Sequence, residues 1–517
     1  MGPAGQAGPR GGGGVPTKRA GLGAVVVRRV AVGVVSGLVL AGTGYAWSAL
    51  HSLTTGLTTS NALSGLVDPS GAVVPRLGAD VNILLMGLDT RLDQNGDPLP
   101  AAVLEQLHAG DGSDGGYNTN TLILMHVPAG GGMVTAFSIP RDDYVAVRDI
   151  PGNDHVKIKE AYGLKKAAVE DAAVKAGTTD RHQLEALGRE AGRRETLQTV
   201  QDFLGVHVDH FAEVSLAGFY DLATALNGVQ VCLNHAVNDP YSGADFPAGV
   251  QTLNGAQSLA FVRQRHGLDN GDLDRTHRQQ AFLASVTQKL SSAGTFTNVG
   301  QLRALIDVAA RDVVVDSGWD IGAFIPRASN LTGGNVQFTT LPILRFDTID
   351  GQSVNVVDQR ALAEQVQVAF GLRPAPTPPA PLPTGPLTID VVNAGAAPGV
   401  AGSVATALAG GRWSRGTVGN TSAQATAVSY GTGAQAQADA IARLVQAPGS
   451  SADDTLAPDT VRVVLGAGFT ASPTLQSDAA ALRTPPPPAA TTTGGATPTT
   501  TGPQGNPVDG GGIPCVN

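Results

Sequence analysis

Val134-Thr135-Ala136-Phe137-Ser138-Ile139-Pro140-Arg141-Asp142-Asp143 is an apolar run that meets a proline and then delivers a charged pair. Proline cannot continue an interior strand, so the run predicts a strand over 134–139 with Arg141 and Asp142 just past its carboxyl end. In open α/β sheets that is where ligands bind. Upstream, the run 122–127 and a Gly-rich turn predict a hairpin partner for this strand. Further upstream, 81–86 reads as a buried strand stopped by Gly87, and Asp89 and Arg91 follow it two residues apart. The Asp/Gly-rich excursion 93–117 reads as a surface loop or lid with a short helical piece around 101–108.

Downstream, Lys157 opens a helical region, and 165–194 reads as a polar insertion, with a helix and a partly mobile segment both open. A helix over 195–204 and a strand over 210–214 precede a helical stripe of Phe219, Leu222, Ala223 and Leu226. The run 229–233 is a further strand. After a helix over 254–260, the stretch 261–266 reads as a strand that points Arg263 and Arg265 to one face. Asp272 or Asp274 can cap a long helix through Arg275, Arg278 and Gln279. A strand near 336–341 and a helix over 358–370 close this region.

The chain has 517 residues, too many for one core, with a net charge of -9 that makes nucleic acid a poor partner. Residues 1–29 are Gly-rich and basic, and the uncharged apolar run 30–50 is long enough to span a bilayer. The positive-inside rule then leaves the amino end in the cytoplasm, a stalk over 51–78, and nearly the whole chain outside the cell membrane. A cleaved signal peptide is the rival reading. A Pro-rich linker over 372–386 separates the region 79–371 from a small α/β domain over 387–468. The Pro/Thr/Gly-rich tail 469–517 is too poor in apolar residues to bury a core and is expected to be disordered. The two cysteines, Cys232 and Cys515, show no zinc-ligand spacing; one disulfide and two free thiols are both open.

Two guanidiniums side by side repel unless an anion sits between them, and their forks match phosphate oxygens. Arg263 and Arg265 therefore suggest a phosphate or diphosphate guest, which Arg275 can join across the 267–271 turn. Pairing with surface carboxylates is the plainer alternative. Asp89 at a strand end suits Mg2+ bound by carboxylate and substrate phosphate, or an ion pair with Arg91. No Gly-x-Ser-x-Gly elbow, Walker loop or dinucleotide fingerprint is present.

These pieces in order, Asn82 to Arg91, Asn118 to Thr121, Ser138 to Asp142, Lys157 to Tyr162, Phe261 to Arg265 and Asp272 to Gln280, resemble the LytR-CpsA-Psr family. Residues 387–468 resemble its LytR C-terminal domain, through Val391 to Gly395 and Val463 to Gly466. The resemblance implies an α/β/α sandwich core enclosing an apolar lipid tunnel, preceded by one transmembrane helix and followed by the small α/β domain. It implies a phosphotransferase that moves a glycopolymer from a polyprenyl diphosphate carrier to peptidoglycan at the membrane's outer face. Carried over by position, Asp89, Arg91, Arg141, Arg263, Arg265 and Arg275 would be catalytic. Asp142, Lys157, Asp272, Arg278 and Gln279 would bind or orient, and Asp89 with Asn120 would hold Mg2+ or Mn2+. Asn120 departs from the family's usual Asp, which implies weaker metal binding. A polyprenyl diphosphate phosphatase and a non-catalytic wall-binding or regulatory membrane protein are the alternative readings.

Overall fold

The computed structural model describes residues 56–66, 80–110, 116–269, 271–291, 299–328, 335–374, 385–422, 424–471, 507–509 and 512–517, with 475, 479, 480 and 482 besides. The basic segment 1–29, the apolar run 30–50 and most of the stalk 51–78 lie outside these residues. Among the described residues no helix is long and apolar enough to cross a membrane. The chain forms two compact units, Met1–Pro374 with Pro498–Asn517, and Ala375–Thr497.

An eight-stranded mixed sheet organises the first unit, in the order Thr58–Ser60, Val313–Asp316, His210–Ser215, Val81–Asp89, Asn118–Val127, Val134–Ser138, Val336–Thr340 and Val508–Asp509. The expected hairpin is present: Asn118–Val127 runs antiparallel to both Val81–Asp89 and Val134–Ser138. Side chains alternate across it as the pleat requires. Leu84, Met86, Leu122, Leu124 and Phe137 share one core with Leu197 and Val200 of the helix Arg181–Leu204 and Val366 of Gln359–Ala369. Ile83, Ile123, Met125 and Ala136 belong to the opposite face, where Ala284 of the helix Asp272–Ser291 packs. Helices thus cover both faces, the layering expected for the core.

Two expectations are corrected, and an open one is resolved. The stretch 261–266 is not a strand: the helix Gly255–Arg263, opened by an Asn254–Gln257 capping box, continues through Arg263 and ends at Gln264 in an extended conformation. Phe261 and Val262 are apolar because they are the buried face of that helix, which a short apolar run cannot distinguish from a strand. The insertion 165–194 consists largely of the helices Glu160–Lys175 and Arg181–Leu204, whose buried positions are unusually polar. The tail is not wholly unstructured. Val508–Asp509 adds an edge strand to the main sheet, Cys515–Val516 pairs in parallel with Val229–Leu233, and Cys232 and Cys515 form a disulfide.

The second unit holds a five-stranded sheet in the order Trp413–Asn420, Leu387–Ala394, Thr460–Gly466, Ala427–Tyr430, Ser450–Ala452. Ile389, Val391, Val461 and Val463 pack with Val404 of the helix Val400–Leu408 and Ile441 of Gln435–Leu444. It is the small α/β domain that the sequence predicts.

Candidate active site

A β-bulge builds the first corner. Gly87 pairs with Thr121 and Leu88 with Thr119, so Asn120 has no residue opposite it. Bulges re-aim side chains beside active sites. A Cβ on Gly87 would lie 2.9 Å from the Thr121 Cβ, so the close approach of the strands there requires glycine. Asn120 Nδ2 donates to Asp89 Oδ2 at 2.7 Å, Arg91 Nη1 donates to Asp89 Oδ1 at 2.6 Å, and Asn120 Oδ1 accepts from Arg141 Nη1 at 2.7 Å. Asp89 accepts only and arginine donates only, which fixes the way round of the amide.

The second corner is Asp272, at the start of its helix. It faces Arg141 Nε at 3.1 Å, Arg275 Nη2 at 2.9 Å and Arg265 Nε at 3.8 Å. Arg275 also donates to the Asn120 carbonyl. Arg141 touches Asp142 at 3.4 Å, and Lys159 pairs with Asp142 at 2.7 Å. Burial works against the Asp142 charge, but Arg141 and Lys159 outweigh it and hold the carboxyl below its usual range. Lys157 acts there only through its field, so Lys159 is the contact that sequence reasoning missed. The proline stop after Val134–Ser138 does place Arg141 at the strand's carboxyl end.

Arg263 and Arg265 do not share a strand face, yet both line one cavity with Arg275, Asp89, Asn120 and Gln279. Arg263 Nη1 donates to the Leu107 carbonyl at 2.7 Å, and Arg91 Nε to that of Ala109 at 3.2 Å. The segment after Arg91 thus supplies backbone acceptors that no side-chain pattern announces, and its Leu104 and Leu107 pack into the core rather than forming a surface loop. Gln279 donates to the Val262 carbonyl at 3.4 Å and steadies the helix end rather than a guanidinium. Arg278 lies outside the cavity and holds Gln264.

The cavity is about 580 Å3. Much of the rest of its wall is apolar, including Leu85, Phe219, Leu222, Phe282 and Leu290. The Phe219 and Leu222 stripe therefore faces a void as well as core. Burial pushes Arg275 down to about 9, and Arg141 and Arg265 push the same way against Asp272. Burial also lowers Arg263 and Arg265. The Nε of Arg275 is buried without a hydrogen-bond partner, and that of Arg141 faces Asp272 and Asp142 as an ion pair without hydrogen-bond geometry. A cluster of partly desolvated cations with spare donors favours an anion between them.

The donor set does not suit a resident hard cation. Both Asp89 oxygens already accept hydrogen bonds, and Asn120 presents its nitrogen to Asp89 and its oxygen to Arg141. Among the described residues no three His, Cys, Asp or Glu side chains gather as metal ligands. The Mg2+ or Mn2+ expected at Asp89 and Asn120 would have to displace both donors.

Fold and site together define an α/β protein in which a cluster of arginines opens onto a largely apolar cavity. The chain belongs to the LytR_cpsA_psr family, whose model matches residues 59–369, and residues 386–469 match the domain called LytR cell envelope-related transcriptional attenuator. It is 45% identical over 298 residues to the cell wall biosynthesis protein LcpA of Corynebacterium glutamicum, a match covering 57% of each chain. It is 26% identical over 241 residues to the polyisoprenyl-teichoic acid–peptidoglycan teichoic acid transferase TagU of Bacillus subtilis, covering 46% of this chain and 62% of that one. The chain thus spans less than two thirds of the length of these relatives. The crystal structure of Bacillus subtilis TagV aligns with a TM-score of 0.41 at 19% identity, covering 58% of this chain and all of that one.

Proposed function

We propose that this chain is a phosphotransferase that moves a glycopolymer from a polyprenyl diphosphate carrier to peptidoglycan, onto the muramic acid 6-hydroxyl, and releases polyprenyl phosphate. One observation carries the reading: Arg263, Arg265 and Arg275 line the same cavity as Leu85, Phe219, Leu222 and Leu290. Guanidiniums suit the diphosphate, and the apolar walls suit an isoprenoid. The names of the relatives, wall biosynthesis and teichoic acid transfer to peptidoglycan, support the same reaction class. The run 30–50 would hold the chain at the outer face of the membrane, where carrier and wall meet.

In this mechanism the acceptor hydroxyl attacks the sugar-side phosphorus, a new P–O bond forms, and the bridging P–O bond to the polyprenyl phosphate breaks. Asp89, paired with Arg91, takes the hydroxyl proton. Arg141, Arg263, Arg265 and Arg275 spread the charge that grows on the departing phosphate. Asp272 orients three of them. No step depends on a metal.

The test supplies a short polyprenyl diphosphate-linked glycan with and without a peptidoglycan fragment. Polyprenyl phosphate and a glycan–peptidoglycan adduct should appear together, and only with the acceptor. Release without acceptor makes the protein a phosphatase. Inertness toward the carrier in both arms leaves the wall-binding reading.

A further inference from the structure

Arg278 is fully buried, yet it does not line the cavity. Its Nη1 donates to Gln264 Oε1 at 2.5 Å and its Nε to the Asn517 carbonyl at 2.6 Å, with the guanidinium over the Phe261 ring. Asp274 and Asp239 reach it through their fields, and burial pushes its pKa down to about 10. A buried cation held by two acceptors is sensitive to the loss of either.

Each acceptor leads to a different part of the molecule. Gln264 stands between Arg263 and Arg265, and its Nε2 donates to the His266 carbonyl at 3.0 Å, so it shapes the turn that carries both cavity arginines. Asn517 belongs to the tail, which is held at several points. Cys515 is bonded to Cys232, Val516 pairs with Leu233, the Asn234 amide donates to the Val516 carbonyl at 2.9 Å, and Asn234 Nδ2 donates to Asn517 Oδ1 at 2.9 Å. Upstream, Val508 and Asp509 pair with Phe338 and Gln337.

We infer that the segment 508–517, stapled by the Cys232–Cys515 disulfide, is a strap that positions the active-site arginines: Asn517 holds Arg278, Arg278 holds Gln264, and Gln264 sets the turn bearing Arg263 and Arg265. Arg278 is thus a positioning residue that acts through Gln264 without touching the guest. The consequence for diphosphate binding rests on the proposed function; the ordering of the turn does not.

The experiment compares the full chain, Cys515→Ser and a chain lacking 508–517 by hydrogen exchange and by calorimetric titration with inorganic pyrophosphate. In both variants, exchange over 261–269 should speed up about ten-fold or more while 81–89 keeps its protection. Pyrophosphate binding should weaken about five- to ten-fold. A phosphine reductant, which gives two electrons to the disulfide as two protons make the thiols, should change the full chain in the same way and Cys515→Ser not at all. Unchanged exchange over 261–269 in the shortened chain overturns the strap, as does an equal loss of protection over 81–89, which would make the tail a brace for the whole fold. If the full chain does not bind pyrophosphate, the proposed function falls, and the exchange data alone decide the strap.

Discussion

Asn120 Nδ2 lies 2.7 Å from Asp89 Oδ2 and donates to it, so the residue beside the candidate base presents hydrogen-bond donors where a second carboxylate would present negative charge. The amide oxygen is spent on Arg141. Asp89 is therefore neutralised by protein groups alone.

Metal dependence should follow from that pairing. Transfer by the native chain should persist after chelation with EDTA. Asn120→Asp sets two carboxylates side by side, which disfavours ionisation of both unless a cation joins them. Its melting temperature in EDTA should fall by about 2–4 °C, a destabilisation of about 1 kcal/mol in a domain this size, and recover with Mg2+ or Mn2+. Equal melting in both buffers contradicts the argument.

Arg141 is buried, bonded to Asn120 and close to Asp272. Removing one donor to developing charge typically costs about 10²- to 10³-fold in rate. Arg141→Ala should show that loss in kcat with native circular dichroism, and full turnover in a folded variant would remove Arg141 from the chemistry.

The pH dependence rests on Arg275, held down to about 9. Below that pH the guanidinium is charged with or without a guest, so pyrophosphate affinity should be flat. Above it the free site loses the proton that an anion needs, and affinity should fall by up to about ten-fold per unit, with proton uptake on binding. The depressed value also means that the empty protein gains stability from this group as pH rises through about 9. Calorimetry in buffers of different ionisation enthalpy reads the uptake.

Leu222 lines the cavity and takes no part in the arginines' polar contacts. Leu222→Trp should raise KM for a long-chain carrier several-fold and leave a carrier of one or two isoprene units nearly unaffected, since only the longer chain competes with the indole. Equal effects on both would place the lipid elsewhere.

Arg193 and Glu213 make a bidentate pair at 2.9 Å for both bonds, and Glu213 is almost fully buried. Leaving one such charge unpaired costs about 3–5 kcal/mol. Glu213→Ala should lose that much in urea unfolding, whereas Arg193→Met with Glu213→Leu should recover most of it.

The sheet was legible because its strands are apolar runs bounded by proline or charge, as with Pro140 after Ile139; Gly87, expected to stop its strand, instead lies inside Val81–Asp89 at the bulge. The ordered motifs also identified the arginines that meet at the cavity. Periodicity failed at 261–266, where Arg263 and Arg265 look alike on a strand or at a helix end. Composition failed at the tail, because the pairing of Cys515 with Cys232 comes from a partner 283 residues away. Lys159 was passed over because only the fold shows that it, and not Lys157, reaches Asp142. The carbonyls of Leu107 and Ala109 could not be read at all, since every residue has one.

The second unit enters the chain between Pro374 and the returning tail, and the bond from Cys515 to Cys232 closes that circuit covalently. A protease that nicks the proline-rich connector at 375–384 would therefore not shed the small domain. Both pieces should migrate as one band on a denaturing gel without thiol and part only when thiol is added, so proteolysis at the connector would leave the two halves leashed together.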